Sequence, residues 1–534
     1  MWKQLYIQTG TMSRFILRRD RIRLPIWIFS ILLVTLLTAN AYTGLYGSQQ
    51  ERQAIAETMK NPAMIAMVGP GYGLDNYHEG AMMAHQMLLF TAIVVAIMSI
   101  LLVNRHTRAD EEEGRIELIR SLPVGQLSNL SATVIVLFSA NIVLALLTGF
   151  GLFALGIESI DLHGSILYGA ALGATGIFFT AITALFAQLS ENTRGAIGFS
   201  FTLLMVAYLV RAVGDVSYEQ LSMVSPLGWI LATEVYVNNY WWPILLTVSV
   251  AIVFVALALY LNSIRDLESG FLPSRPGKKH ASRFLQSPFG LAFRLQRTGI
   301  IAWAIGMFVL GSSYGSVFGD LEMFLESSDM MREMLQAAEG FSLTEQYLSM
   351  LMSVISMICT IPALMFILKL KGEEKNNRTE HLLARAVSRP KVMGSYLIVS
   401  LVFGFMMLFL AVIGLWSAAA AVMDDPISFE TIFQSAMVYL PAIWIMTGIA
   451  VFLIGLFPQL TGFTWLYLGY SFFVVYLGGL LQFPEWMEKL SPFGYTPQIP
   501  VEEMNLIKVL ALTFMAAVFI VVGFIGYKKR DITG

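Results

Sequence analysis

An all-α integral membrane protein of about twelve transmembrane helices, built as two parallel six-helix repeats, is the fold class this sequence predicts. Three observations carry that prediction. The 534-residue chain is 56% apolar and 13% charged, about half the charged share of a soluble chain, and its mean hydropathy is +0.68. Apolar runs long enough to cross a bilayer recur along its whole length. Short motifs of the first half return, in order, in the second.

The elements follow in chain order. Residues 1–24 are basic and place Trp2, Leu5 and Tyr6 at helical spacing, which suits a cytoplasmic amphipathic helix lying on the membrane surface; a solvated basic tail is the plainer alternative. The first six-helix repeat, 25–264, has apolar runs at Pro25–Tyr42, Met83–Val103, Leu130–Leu155, Ile166–Leu189, Ala196–Val210 and Pro243–Leu261. Ala39-Asn40-Ala41 has the form of a signal-peptide cleavage site, but the preceding apolar run exceeds an h-region, so an uncleaved span is expected. A basic cytoplasmic linker, 265–296, is interrupted by Pro273, Pro276 and Gly277, which break helix. The second repeat, 297–534, has runs at Gly299–Phe318, Tyr347–Leu368, Ser395–Met423, Thr431–Phe457, Thr461–Leu481 and Leu506–Gly526. Pro362 and Pro441 are expected to kink their helices.

Orientation follows from the basic residues. With the N-terminus in the cytoplasm, alternation of the loops places 28 of 34 Lys and Arg inside and 23 of 36 Asp and Glu outside. An even number of spans then puts both termini in the cytoplasm.

The repeat shows at three places. Glu111, Arg115, Glu117, Ile119 and Val124, after span two, are answered by Glu374, Arg378, Glu380, Leu382 and Val387, after span eight, at a constant offset of 263. Phe186–Ser190 answers Phe457–Thr461, and Ser225–Trp229 answers Ser491–Tyr495. Each pair falls on one side of the membrane, so the repeats are parallel. The two loops after spans two and eight read as short helices, Asp110–Pro123 and Glu373–Ala386, charged at first and apolar along one side. Such a helix suits docking in a groove of a soluble partner; one copy alone would read as a solvated elbow.

Several chemistries are missing. There is no P-loop: Gly277-Lys278 is followed by Lys279, so the chain binds no nucleotide by that route. The six histidines show no metal-ligand spacing, and His85 reads as an interfacial polar residue. The single cysteine, Cys359, excludes an internal disulfide and reads as a packing residue. No Asp, Glu, Lys or Arg falls in the middle of a predicted span, which disfavours proton or ion coupling. Catalytic residues and metal ligands are therefore not expected. Aromatic residues of spans five and eleven, Phe199, Phe201, Tyr208, Phe463, Trp465 and Tyr470, could line an apolar pathway, although lipid-facing packing explains any one of them. Gly169, Gly173 and Gly176 read as close helix packing.

The doubled six-span plan, the segment Glu112–Val124, and Gln188 with Thr193-Arg194-Gly195-Ala196 resemble the fused permease subunits of bacterial ABC exporters, the type-two exporter permease kind. The nearest type is the tetronasin-resistance or polyketide-antibiotic exporter permease. Asn61-Pro62, Gly69–Asp75, Arg378-Thr379-Glu380 and Ala386–Arg389 add to the resemblance. It implies two copies of a separate ABC ATPase, which would bind ATP and Mg, no cofactor in this chain, and a multi-pass place in the bacterial plasma membrane. It also implies a hydrophobic small-molecule cargo and no nucleic acid. The loops 105–127 and 369–393 would be coupling helices, with Glu111, Arg115, Glu117, Ile119, Glu374, Arg378, Glu380 and Leu382 as their contacts. Lys375-Asn376-Asn377 replaces Glu112-Glu113-Gly114, so the two contacts are expected to be unequal. An ion-coupled carrier, an exporter of lipid or glycan, and a non-transporting scaffold or sensor are the alternatives.

Overall fold

The computed structural model describes residues 2–45, 48–272, 279–319, 341–385, 387–423, 425–481 and 484–531. Among these the regular structure is helical, apart from one isolated bridge between Ser190 and Leu272. Eleven helices among the described residues are long and apolar enough to span a bilayer. A shorter apolar helix, Phe463–Leu481, stands where the eleventh span is expected. The protein is an all-α integral membrane protein of about twelve helices.

The chain divides into two compact units, Met1–Gly277 and Lys278–Gly534. In the first, the spans are Arg23–Leu45, Glu79–His106, Ser128–Ala154, Leu162–Leu189, Thr193–Ser217 and Trp242–Ile264. Span four is its central helix, with 83% of its most apolar stretch buried. It can lie so close to span three because Gly169, Gly173 and Gly176 put no side chain against Ala145 and Asn141. The N-terminal helix Thr9–Arg19 buries Met12 and Ile16 and leaves Arg14, Phe15, Leu17 and Arg18 exposed. It is held further by amides of Gly125 and Leu127, which donate to the Ile7 and Leu5 carbonyls, so it is a packed element and not a solvated tail.

In the second unit the spans are Pro288–Gly315, Leu343–Lys375, Arg389–Val422, Phe429–Leu456, Phe463–Leu481 and Leu506–Lys529. Gly311 lies on the backbone of Ala411, and Gly455 on that of Gly523.

Several elements differ from the sequence reading. Span seven starts at Pro288, within the expected linker, because Ser287 caps the helix by accepting from the Gly290 amide and proline suits the first turn. Span ten is two helices, Phe429–Met437 and Leu440–Leu456, with Pro441 in the first turn of the second, so Pro441 breaks the span; Pro362 stays inside its helix. Span five runs seven residues past Val210 to Ser217. Its last two turns therefore carry Arg211 and Asp215, a buried ion pair at 3.0 Å. Arg211 also donates to the carbonyls of Ile65, Ala66 and Met67, capping the C-terminal end of helix Pro62–Val68.

His85 is fully buried, not interfacial. The Gly69 carbonyl can only accept, so His85 Nε2 carries a proton toward it at 3.1 Å. Nδ1 of the neutral ring then accepts from the Tyr77 hydroxyl at 2.8 Å. The ring fastens the Gly69–Tyr77 loop to span two. Cys359 is buried and unbridged.

Candidate functional site

The two repeated loops have one local design. In the first unit, span two ends at His106 and a short helix, Arg108–Glu112, follows. Gly114 then turns the chain with φ +71°, and a second short helix runs Arg115–Arg120. In the second unit, span eight continues through Glu373 and Glu374 to Lys375, Asn377 turns the chain at φ +56°, and Glu380–Leu383 is helical. Gly114 and Asn377 are 263 residues apart, the repeat offset, and glycine and asparagine tolerate the left-handed region best. Neither loop is the single helix that the sequence suggested, because the left-handed corner divides it.

Each corner is held by charge. Arg115 folds back on Asp110 at 2.6 Å and also pairs with Glu113; Arg378 folds back on Glu373 at 3.4 Å. Asp110, Glu111, Glu373 and Glu374 are all buried. Arg265, directly after span six, holds Glu111 through both terminal nitrogens at 3.0 and 2.9 Å. The Glu268 amide donates to the same carboxylate at 2.7 Å. Arg530, directly after span twelve, holds Glu374 at 2.6 Å. A buried carboxylate needs this paired arrangement to remain charged.

The loops also bear on another repeated motif, Phe186–Ser190 and Phe457–Thr461. Arg108 donates to the Ala187 carbonyl at the end of span four. Lys371, its counterpart by the offset, donates to the Thr461 hydroxyl at 2.6 Å before span eleven. Glu112 accepts from the Thr193 amide at 2.7 Å, at the start of span five.

The eight residues expected to contact a partner thus fall into three places. Glu111 and Glu374 are inside and tie the loop to the end of the last span of their own unit. Ile119 and Leu382 are half-buried, and Ile119 packs on the core. Glu117 and Glu380 are exposed at the tip, as are Arg115 and Arg378. Leu118 and Leu122, not singled out in the sequence, are 72% and 60% exposed one turn apart. Also missed were Asp110, Glu373, Arg265 and Arg530. The only sequence signal for the last two is a basic residue just past the final apolar run of each half.

The six aromatic residues are not equivalent either. In the first unit Phe199 is exposed, Phe201 is partly buried against the core, and the Tyr208 hydroxyl donates to the Met67 carbonyl at 3.2 Å. In the second, Phe463 and Trp465 are exposed, and the Tyr470 hydroxyl donates to the Met487 carbonyl at 2.8 Å. The two tyrosines hold short helices, Pro62–Val68 and Glu485–Lys489. Among the described residues no group of three or more His, Cys, Asp or Glu could hold a metal ion.

The chain matches the family described as "Multidrug efflux system permease Rv1217c, C-terminal domain" over residues 11–261 and 285–528. It is 35% identical to the multidrug efflux system permease protein Rv1217c of Mycobacterium tuberculosis, over 98% of this chain and 95% of the relative. Both descriptions speak of multidrug efflux, and neither supports the narrower tetronasin or polyketide exporter type.

Proposed function

The chain belongs to the multidrug efflux system permease family, and from that premise we propose that it is the membrane subunit of an ATP-driven exporter of hydrophobic drugs. The hydrolysing subunit is a separate chain, present in two copies, and it holds the ATP and Mg. The two units are parallel repeats, both termini are cytoplasmic, and the loops at 105–127 and 369–393 dock on the ATPases. The observation that carries this reading is the shared loop design: an acid pair set inside, a left-handed corner, and a short helix with an exposed acidic residue, Glu117 or Glu380. A loop that only joined two spans would need neither the buried pair nor its recurrence.

In this reading, movement of a docked ATPase reaches the membrane through Glu111 and Glu374. A rigidly held loop cannot be displaced without displacing the end of span six or twelve to which it is paired. The cargo leaves along surfaces that include Phe199, Phe463 and Trp465. Affinity purification from native membranes in mild detergent tests the partner: about two P-loop ATPases per chain are expected. The double reversal E117K/E380K should leave membrane insertion intact and uncouple ATP hydrolysis from export. Full export by that variant, or transport in vesicles driven by an ion gradient without ATP, would overturn the reading.

A further inference from the structure

A second site of different chemistry lies at the membrane boundary of the first unit. An open cleft of about 380 Å³ lies between the N-terminal helix, the end of span two, the first loop and the start of span five. Three arginines line it, Arg19, Arg105 and Arg115, with Glu113 as the one acidic lining residue. Arg19 and Arg115 converge because both pair with Asp110. Arg105 comes closest to Asp20 through its Nε, at 3.2 Å, with its terminal nitrogens farther from that carboxylate. The start of span five adds no free amide at Thr193, because Glu112 already accepts from it; the anion-attracting groups are the guanidiniums.

The walls change character in a regular way. Arg105 is in the last turn of span two and Thr193 in the first turn of span five. One turn further into each helix, the lining residues are Leu101, 40% exposed, and Ile197. The cleft is therefore cationic at the level where the spans end and apolar one turn deeper. Arg19 belongs to a helix whose exposed side chains include Arg14, Phe15, Leu17 and Arg18, the composition of a helix resting among headgroups. Guanidinium is the side chain best matched to a phosphate, which it can bind through two parallel hydrogen bonds.

We propose that this cleft binds a phosphate-bearing anion, and that its source is an anionic phospholipid with the headgroup on Arg19, Arg105 and Arg115 and an acyl chain along Leu101 and Ile197. The lipid clips the N-terminal helix, span two and the first loop together. Its phosphate competes with Glu113 for Arg115. The site is special to the first unit: by the repeat offset, Leu368 stands where Arg105 does. This inference needs only membrane embedding and stands apart from the transport reading.

The test uses the full chain purified in detergent, with thermal unfolding followed by tryptophan fluorescence and bound lipid identified by native mass spectrometry. Phosphatidylglycerol should raise the unfolding midpoint by several degrees, phosphatidylcholine should not, and phosphatidylglycerol should be retained in the mass spectrum. R105L, which copies the second unit, should weaken phosphatidylglycerol binding about fivefold, roughly the worth of one basic side chain at an anionic surface. R105K should keep part of it. R115Q, at an exposed side chain whose loss leaves Asp110 paired with Arg19, is the second variant should R105L fail to fold. Equal protection by phosphatidylcholine, or full protection of both R105L and R115Q, would overturn the site. Equal protection by inorganic phosphate at the same concentration would overturn the lipid as its source.

Discussion

Arg265 grips Glu111 with both terminal nitrogens, at 3.0 and 2.9 Å, across 154 residues of chain. The other unit repeats the relationship across 156 residues, where Arg530 meets Glu374 at 2.6 Å. In each unit the loop after the second span is thereby fixed to the end of the sixth. The ion pair makes loop and span end one rigid piece.

Removing one partner of a buried pair leaves the other charged and unpaired, at a cost of about 3 kcal/mol or more. E111A strips the carboxylate from both Arg265 and Arg108 and should lower stability by about that amount, whereas R265A should cost less because Arg108 stays 3.2 Å from Glu111; denaturant unfolding in detergent and faster proteolysis of the 105–127 loop read both. The double variant E111L/R265M should recover part of the loss, with Arg108 left on the Ala187 and Ser269 carbonyls. R530A should cost less, because Arg530 is more exposed and holds one oxygen rather than two. Equal losses in the single and double variants would show that the pair itself is not the link.

Gly114 has φ +71°, and a Cβ there would meet nothing within 4 Å. The cost of G114A is then purely conformational, about 1–2 kcal/mol. G114N should be nearly silent, since Asn377 already occupies the same corner at φ +56°. Unfolding midpoints of the two variants, compared side by side, check this.

The tips differ in chemistry. Leu118 and Leu122 stand exposed in the first loop, and His381 and Arg385 stand at the equivalent exposed places in the second. If both loops dock on ATPases, L118D/L122D should release the partner at any ionic strength. R385E should matter at low salt and progressively less as salt screens the contact. Co-purification of the ATPase over a salt series distinguishes them.

Two glycines of one unit should respond oppositely. A side chain at Gly169 would strike the Ala145 carbonyl, so G169A should cost about 1–3 kcal/mol and reduce the folded yield. Gly198 lies inside span five with nothing within 4 Å, so G198A should stabilise by about 0.5–1 kcal/mol. Thermal unfolding of both variants is the measurement.

His78 caps span two, its Nδ1 accepting from the Ala81 amide at 3.1 Å. Burial lowers its pKa below the ordinary 6.5, against the opposing pull of Glu79. A depressed folded pKa means that the stabilisation is fully present above about pH 6.5 and is lost as the pH falls through the folded value. The unfolding midpoint should therefore drop on acidification from neutrality toward about pH 5. In H78D, whose carboxylate caps while ionised, that drop should shrink. An unchanged drop in H78D would assign the pH dependence to other groups.

The membrane class, the helical spans and the correspondence between the loops at 105–127 and 369–393 were legible along the chain. These depend on hydropathy and on motif spacing, which are sums over neighbouring residues. Span ends were less legible where a local cap overrode hydropathy, as at Ser287-Pro288, or where a charged turn stayed helical because its charge found a partner, as at Arg211 and Asp215. Which acids of each loop turn inward was settled by packing. Glu111, Glu112 and Glu113 are chemically identical along the chain, but one meets Arg265, one caps span five and one pairs with Arg115 at the surface. For Glu111 and Glu374 burial is settled by a partner more than 150 residues away, and that distance in sequence leaves no local trace.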